Sequence, residues 1–146
     1  MKKLILTAFA GLALMSACKK DNDTVPTQQV SGTMSGSNEV PAVSASGSGT
    51  FTGTYTPSTK VLSYSMTYSG LTGAPTASHL HYGNATHSGP VTLPLSNLPT
   101  TTSGTFSGTV TLTAQQADSL AAGRIYSNIH TSTNSGGELR ANLTLK

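Results

Sequence analysis

One cysteine, Cys18, and no tryptophan occur among the 146 residues. A lone thiol closes no disulfide within the chain, and a cysteine-rich metal knuckle is excluded with it. Charge is equally scarce, with Asp, Glu, Lys and Arg making up only 9% of the chain. Disorder of the usual kind pairs few apolar residues with a high net charge, whereas the net charge here is +3. Both lysines of the first 17 residues belong to the extreme N-terminus, and without that segment the formal charge falls to +1. The basic residues left, Lys19, Lys20, Lys60, Arg124, Arg140 and Lys146, form no stripe that neutralises several phosphates at once. Nucleic acid is therefore not an expected partner.

No apolar run is long enough to cross a bilayer as a helix, which takes about 20 residues. The longest, residues 4–15, follows Met1-Lys2-Lys3 and ends in Met15-Ser16-Ala17-Cys18. A basic start, a short apolar core and small residues before a cut site make a secretory signal. The last four residues resemble a bacterial lipobox, in which cysteine becomes the lipid-modified N-terminus; an ordinary signal peptide with an incidental cysteine is the alternative. The expected organisation is a signal over residues 1–17, a lipidated (palmitate-type) Cys18 with a polar tether over residues 18–29, and one domain over residues 30–146. The expected location is the bacterial cell envelope, at the outer membrane or cell surface if Lys20-Asp21-Asn22-Asp23 acts as an export tag.

What the domain does have is hydroxyl. Ser and Thr supply 40 of the 116 residues from Ser31 onward, and they alternate with apolar residues. Leu62, Tyr64, Met66 and Tyr68 interleave with Ser63, Ser65, Thr67 and Ser69, the period-2 pattern of a half-buried strand. Phe51, Gly53 and Tyr55 alternate with threonines in the same way, and Pro57 opens a turn between the two runs. Further strands are expected near residues 77–83, 104–112, 124–131 and 138–145. Thr113-Ala114-Gln115-Gln116 is a capping box ahead of Ala117, Leu120 and Ala121, with Gly123 as the stop, which predicts a helix of about two turns. The fold class is all-β: a small antiparallel sandwich or barrel with one short helix. Residues 49–54 and 104–109 share a Gly-Thr-Phe-x-Gly-Thr pattern, which by itself implies no repeat.

Asn38-Glu39-Val40-Pro41, His79-Leu80-His81-Tyr82-Gly83, Gly89-Pro90-Val91, Asn128-Ile129-His130-Thr131 and Gly136-Gly137-Glu138-Leu139-Arg140 occur in that order. Together they resemble the CHRD domain, found in chordin and in many bacterial exported proteins, over roughly residues 30–145. Ala42 and Ala141 depart from the family, which often has Pro and Gly there. The resemblance implies a module that binds protein or glycan, as chordin binds secreted growth factors, and implies no agreed reaction for bacterial members.

His79 and His81 point to one face of a strand, and His130 lies on a later one; if those strands pair, three imidazoles meet, a donor set suited to copper or zinc. The outline resembles the His-x-His copper strand of copper–zinc superoxide dismutases. Glu39 and Glu138 are candidates for a further ligand or for acceptors of a ring N–H. The structural alternative is a polar network with Asn128 and Thr131 as partners and a Glu138–Arg140 ion pair. His87 reads as a solvated loop residue. Ser is abundant but sits in no nucleophile elbow, and the domain's single Asp, Asp118, falls on the helix, so no catalytic residue is expected. A metal-dependent redox enzyme ranks behind a non-catalytic binding module and a copper- or zinc-binding protein.

Overall fold

The computed structural model describes residues 25–146. The signal, Cys18 and most of the tether lie outside the described residues. Among the described residues nine strands form one sheet, β1 (Gln28–Ser35), β2 (Ser48–Thr56), β3 (Val61–Ser69), β4 (Pro75–Tyr82), β5 (Val91–Pro94), β6 (Gly104–Thr111), β7 (Ile125–Thr131), β8 (Leu139–Asn142) and β9 (Thr144–Leu145), with one α-helix, α1 (Ala114–Ala121), and a single 3-10 turn at Gly36–Asn38. The order across the sheet is β5-β4-β7-β8-β1-β2-β3-β6, and β9 also pairs with β1. The sheet is antiparallel and curls into a half-barrel, bringing its two ends face to face. Ser78 Oγ of β4, which donates to the Asn128 carbonyl at 2.7 Å, thus lies 3.8 Å from Met66 Sδ of β3.

The fold agrees with an all-β domain carrying one short helix. Period-2 alternation buries Leu62, Tyr64, Met66 and Tyr68 of β3 with Phe51 and Tyr55 of β2, leaving the hydroxyl rows outside. The shared Gly-Thr-Phe-x-Gly-Thr pattern has a physical cause in the register. Strands β2 and β6 flank β3, so Phe51 and Phe106 both pair with Met66, while Gly53 and Gly108 both pair with Tyr64. A Cβ on Gly108 would lie 2.8 Å from Tyr64 Cζ, so the ring needs glycine beside it.

Helix α1 begins as expected: Thr113 Oγ1 accepts from the Gln116 amide at 3.2 Å, and Gln116 Oε1 accepts from the Thr113 amide at 2.7 Å. Gly123 follows with φ of 65°, the left-handed turn that stops a helix. Leu120 and Ala117 face the core, and Gln116 Nε2 donates to Thr92 O at 3.0 Å, tying the helix to β5.

Two strands had no clear pattern in the sequence. Strand β1 takes Gln28 and Gln29, expected in the tether, and pairs them with Tyr55 and Thr54. The tether is therefore shorter than expected by those two residues, because ladder hydrogen bonds to β2 outweigh their polarity. Strand β5 is short and half-exposed at the sheet edge. The expected C-terminal strand is broken into β8 and β9 at Leu143.

Candidate metal centre

Leu80 of β4 is buried in the core, so its neighbours His79 and His81 project from the opposite face. Strand β7 lies alongside, pairing His81 with Tyr126, His79 with Asn128 and Ala77 with His130. Because Ala77 and not His79 pairs with His130, the His130 ring lies diagonal to His79 on the same face. His79 Nδ1 and His130 Nε2 are 3.0 Å apart. One potential ligand nitrogen from each of His79, His81 and His130 lies within 4.8 Å of the other two.

The tautomers follow from the partners. His81 Nδ1 is 3.0 Å from Gly89 O, and His130 Nδ1 is 2.9 Å from Ser135 O. A carbonyl only accepts, so both Nδ1 atoms donate, and in a neutral ring the Nε2 atom then carries a lone pair. His130 Nε2 accepts from His79 Nδ1. His81 Nε2 is buried and has no hydrogen-bond partner among the described residues. A buried lone pair without a donor is an unfavourable arrangement unless something electrophilic fills it. Burial lowers the pKa of His79 and His81 and repulsion from neighbouring rings adds to it; at His81 the Gly89 carbonyl and the Asn128 side chain pull the other way without reversing the shift, which favours the neutral form that ligates a metal.

The rings are wedged from behind. His81 stacks on Tyr126 with centroids 4.7 Å apart and planes within 9°. Arg140, on the far side in β8, holds its guanidinium carbon 3.5 Å from the Tyr126 centroid. Arg140 is fully buried, donates to Ser88 Oγ at 3.1 Å and His87 O at 3.2 Å, and also bonds Asn84 O. It thereby fixes the loop of residues 84–89 whose Gly89 carbonyl orients His81.

A cleft of about 480 Å³ opens beside this cluster, and Glu39, Pro41, His81, Gly89, Tyr126 and Gly137 help line it. Those six residues come from five separate stretches of sequence, all but Tyr126 from the ordered motifs quoted above. The CHRD domain profile matches residues 30–143. This chain belongs to the CHRD family. Neither a curated protein nor a solved structure matches it.

The CHRD motifs do several jobs in this chain. Asn38 donates to Thr33 O at 3.0 Å and Arg140 O at 3.1 Å, pinning the turn before Glu39 to β1 and β8. Glu39 is buried; burial raises its pKa to about 7 against the pull of Arg140. Its Oε1 has no hydrogen-bond partner among the described residues. Gly137 has φ of 128°, and a Cβ there would sit 2.9 Å from both Glu39 Cδ and Asn128 Nδ2. Glycine is needed both for that backbone and for that approach.

Both carboxylates differ from their expected roles. The ring N–H groups go to the Gly89 and Ser135 carbonyls, not to Glu39 or Glu138, and neither carboxylate belongs to the cluster of ligating atoms. Glu138 is fully buried and accepts four hydrogen bonds: Thr72 N at 2.8 Å, Thr72 Oγ1 at 2.6 Å, Thr131 Oγ1 at 2.6 Å and Asn134 Nδ2 at 3.1 Å. Burial pushes its pKa up, but these donors more than reverse that, and it ends below the usual carboxylate value. The expected Glu138–Arg140 ion pair does not form, since each side chain has its partners elsewhere. Thr131 likewise serves Glu138 and not the histidines. Asn128 is buried on the histidine side, and its Oδ1 has no partner among the described residues. His87 is exposed and bonds Thr86 and Asn84 within its own loop.

The Ser135 carbonyl and the Tyr126 stack were not assigned from sequence. Backbone acceptors leave no trace in residue type, so nothing marked Ser135. Tyr126 alternates with Asn128 and His130 along β7, so its stacking role follows once β4 is placed beside it.

Proposed function

We propose that this CHRD domain is a non-catalytic binding module that holds copper or zinc on His79, His81 and His130. The observation that carries this is the donor set itself. Three imidazole nitrogens lie within 4.8 Å of one another, two rings have their other nitrogen committed to carbonyls, and His81 Nε2 is buried with no donor. Three nitrogens each about 2.0 Å from one ion sit about 3.5 Å apart or slightly less, a separation that small side-chain rotations reach from here. Outer acceptors that fix ring orientation are the usual support of such ligands.

The test is the metal content of the full chain after loading with each ion and removal of excess. One equivalent of copper or zinc is expected, and none in His81→Ala; sub-stoichiometric metal that His81→Ala leaves unchanged overturns the reading. The second reading is a polar network without metal. The 3.0 Å hydrogen bond between His79 and His130 favours it, and it predicts no binding in the same experiment.

We place this module outside the cytoplasm, anchored through an acylated Cys18, on the strength of the basic, apolar and small-residue order of the first 18 residues. Several acyl chains hold a protein to a membrane where one alone does not. Incorporation of labelled palmitate, abolished in Cys18→Ser, is the expected result. The cleft beside Glu39 and Gly137 is where we place contact with a protein or glycan partner. Pull-down from intact cells with the wild-type chain and not with Gly137→Ala would support it.

A further inference from the structure

We propose that the three-histidine site selects monovalent copper over divalent ions. This rests on the metal-site reading above and goes further by naming the ion. The cluster supplies three neutral nitrogens and no carboxylate, so nothing in the ligand set offsets a second positive charge. The surroundings oppose one. The groups that act on a positive charge at His79 and His81 are the neighbouring histidines, which repel it only when protonated, and, at His81, Arg140, which repels it always. Arg140 is the permanent one, fully buried and separated from His81 by the Tyr126 ring.

Two elementary effects then act in the same direction. The cost of moving an ion out of water grows with the square of its charge, so a divalent ion at a mostly buried site pays about four times what a monovalent one pays. Repulsion from Arg140 doubles as well. At the distance set by one intervening ring, and with a partly screened interior, that second increment is on the order of thirtyfold in affinity. Of the two acids on neighbouring elements, one cannot cancel it and the other offsets it only in part. Glu138, beside β8, is saturated by Thr72, Thr131 and Asn134. Glu39, in the turn after β1, is the group able to answer a second charge by ionising, because its Oε1 is buried and accepts nothing. A neutral, three-nitrogen pocket of low coordination number suits monovalent copper, which accepts three ligands readily.

The experiment loads the full chain anaerobically with Cu(I) and, separately, with Cu(II) and Zn(II), and measures each affinity by chelator competition. Cu(I) is expected to bind at least about a hundredfold more tightly than Zn(II). X-ray absorption at the copper edge is expected to show about three nitrogen neighbours near 2.0 Å and no sulfur. Glu39→Gln, which keeps the shape and removes the ionisable group, is expected to weaken Zn(II) and Cu(II) by about tenfold while Cu(I) stays within about twofold. Equal affinity for Cu(I) and Zn(II), or equal weakening of all three ions by Glu39→Gln, overturns charge selection while leaving the metal site standing. Sulfur among the copper neighbours, or Cu(I) binding unchanged in His81→Ala, overturns this inference together with the site.

Discussion

The two halves of the sheet are built on opposite principles. Strands β1, β2, β3 and β6 put apolar side chains in and hydroxyls out, and their buried residues include Met34, Phe51, Leu62, Tyr64, Met66 and Phe106. Strands β4, β7 and β8 bury polar groups on both faces: Ser78, His81, Ser127, Asn128, His130 and Arg140, with Glu138 alongside. Strand β7 is buried at every position. An apolar interior tolerates approximate packing, because any side chain of the right volume regains most of the transfer energy. A buried polar interior tolerates little, because a lost partner leaves a desolvated group behind. One half therefore supplies stability, and the other spends some of it to hold a site in a fixed geometry.

The largest effect that tests this contrast is loss of the Glu138 carboxylate. Glu138→Ala strips four hydrogen bonds from Thr72, Thr131 and Asn134, and a cost of about 4 kcal/mol or more is expected in denaturant titrations. Phe51→Ala, in the other half, is expected to cost a similar 3–5 kcal/mol or so. The comparison sharpens with shape-conserving changes. Glu138→Gln keeps the volume and still costs about 1–3 kcal/mol, while Met66→Leu costs less than about 1.5 kcal/mol. If Met66→Leu proves the costlier of the two, the contrast between the halves fails.

Glu39 gives the next effect, with a defined sign. Its folded-state pKa is raised to about 7 from 4.5, so the buried acid favours the native state while protonated. That contribution is fully present below about pH 4.5 and is lost as pH rises through about 7. Glu39→Gln removes the titration, so the variant is expected to gain on the wild type by up to about 3 kcal/mol between pH 5 and pH 8. Parallel stability profiles for the two proteins would mean that Glu39 is already answered by a donor.

The histidines act in the reverse direction and more weakly. His79 and His81 have lowered pKa values because burial and mutual repulsion disfavour the charged rings. Their contribution to stability is present above the ordinary histidine pKa and is lost as pH falls below it. The thermal midpoint is expected to drop on acidification below about pH 6.5, and His81→Ala should flatten that slope. Metal retention should fail over the same acid range, since protonated rings donate no lone pair.

The apolar half was largely legible in the sequence, and the reason is periodicity. Residues 62–69 announce a strand because burial there is decided one residue at a time. The helix was legible for a similar reason, since Thr113, Gln116 and Gly123 each act within a few positions of their targets. The polar half was legible only as pieces. His79, His81 and His130 were visible as a potential cluster because two share a strand face, but their meeting required the β4–β7 register, which nothing local encodes. Glu138 and Arg140 read as an ion pair from their i, i+2 spacing. Of their actual partners, Thr72 and the loop of residues 84–88 lie more than 50 positions away. Strand β1 went unread because its partners, β2 and β8, define it more than its own composition does.

The smallest expected effect concerns the outer hydroxyl rows. Thr67 and Thr105 pair across β3 and β6, both exposed, with their hydroxyl oxygens 2.9 Å apart. Water replaces that hydrogen bond on removal, and Val keeps the β-branched shape that suits a strand, so little is lost. Thr67→Val with Thr105→Val is expected to change stability by no more than about 0.5 kcal/mol per site. A loss of several kcal/mol, measured by thermal and denaturant unfolding, would mean that the outer hydroxyls form a cooperative network of their own. The polar half would then no longer be the only part of the domain in which hydrogen bonds decide geometry.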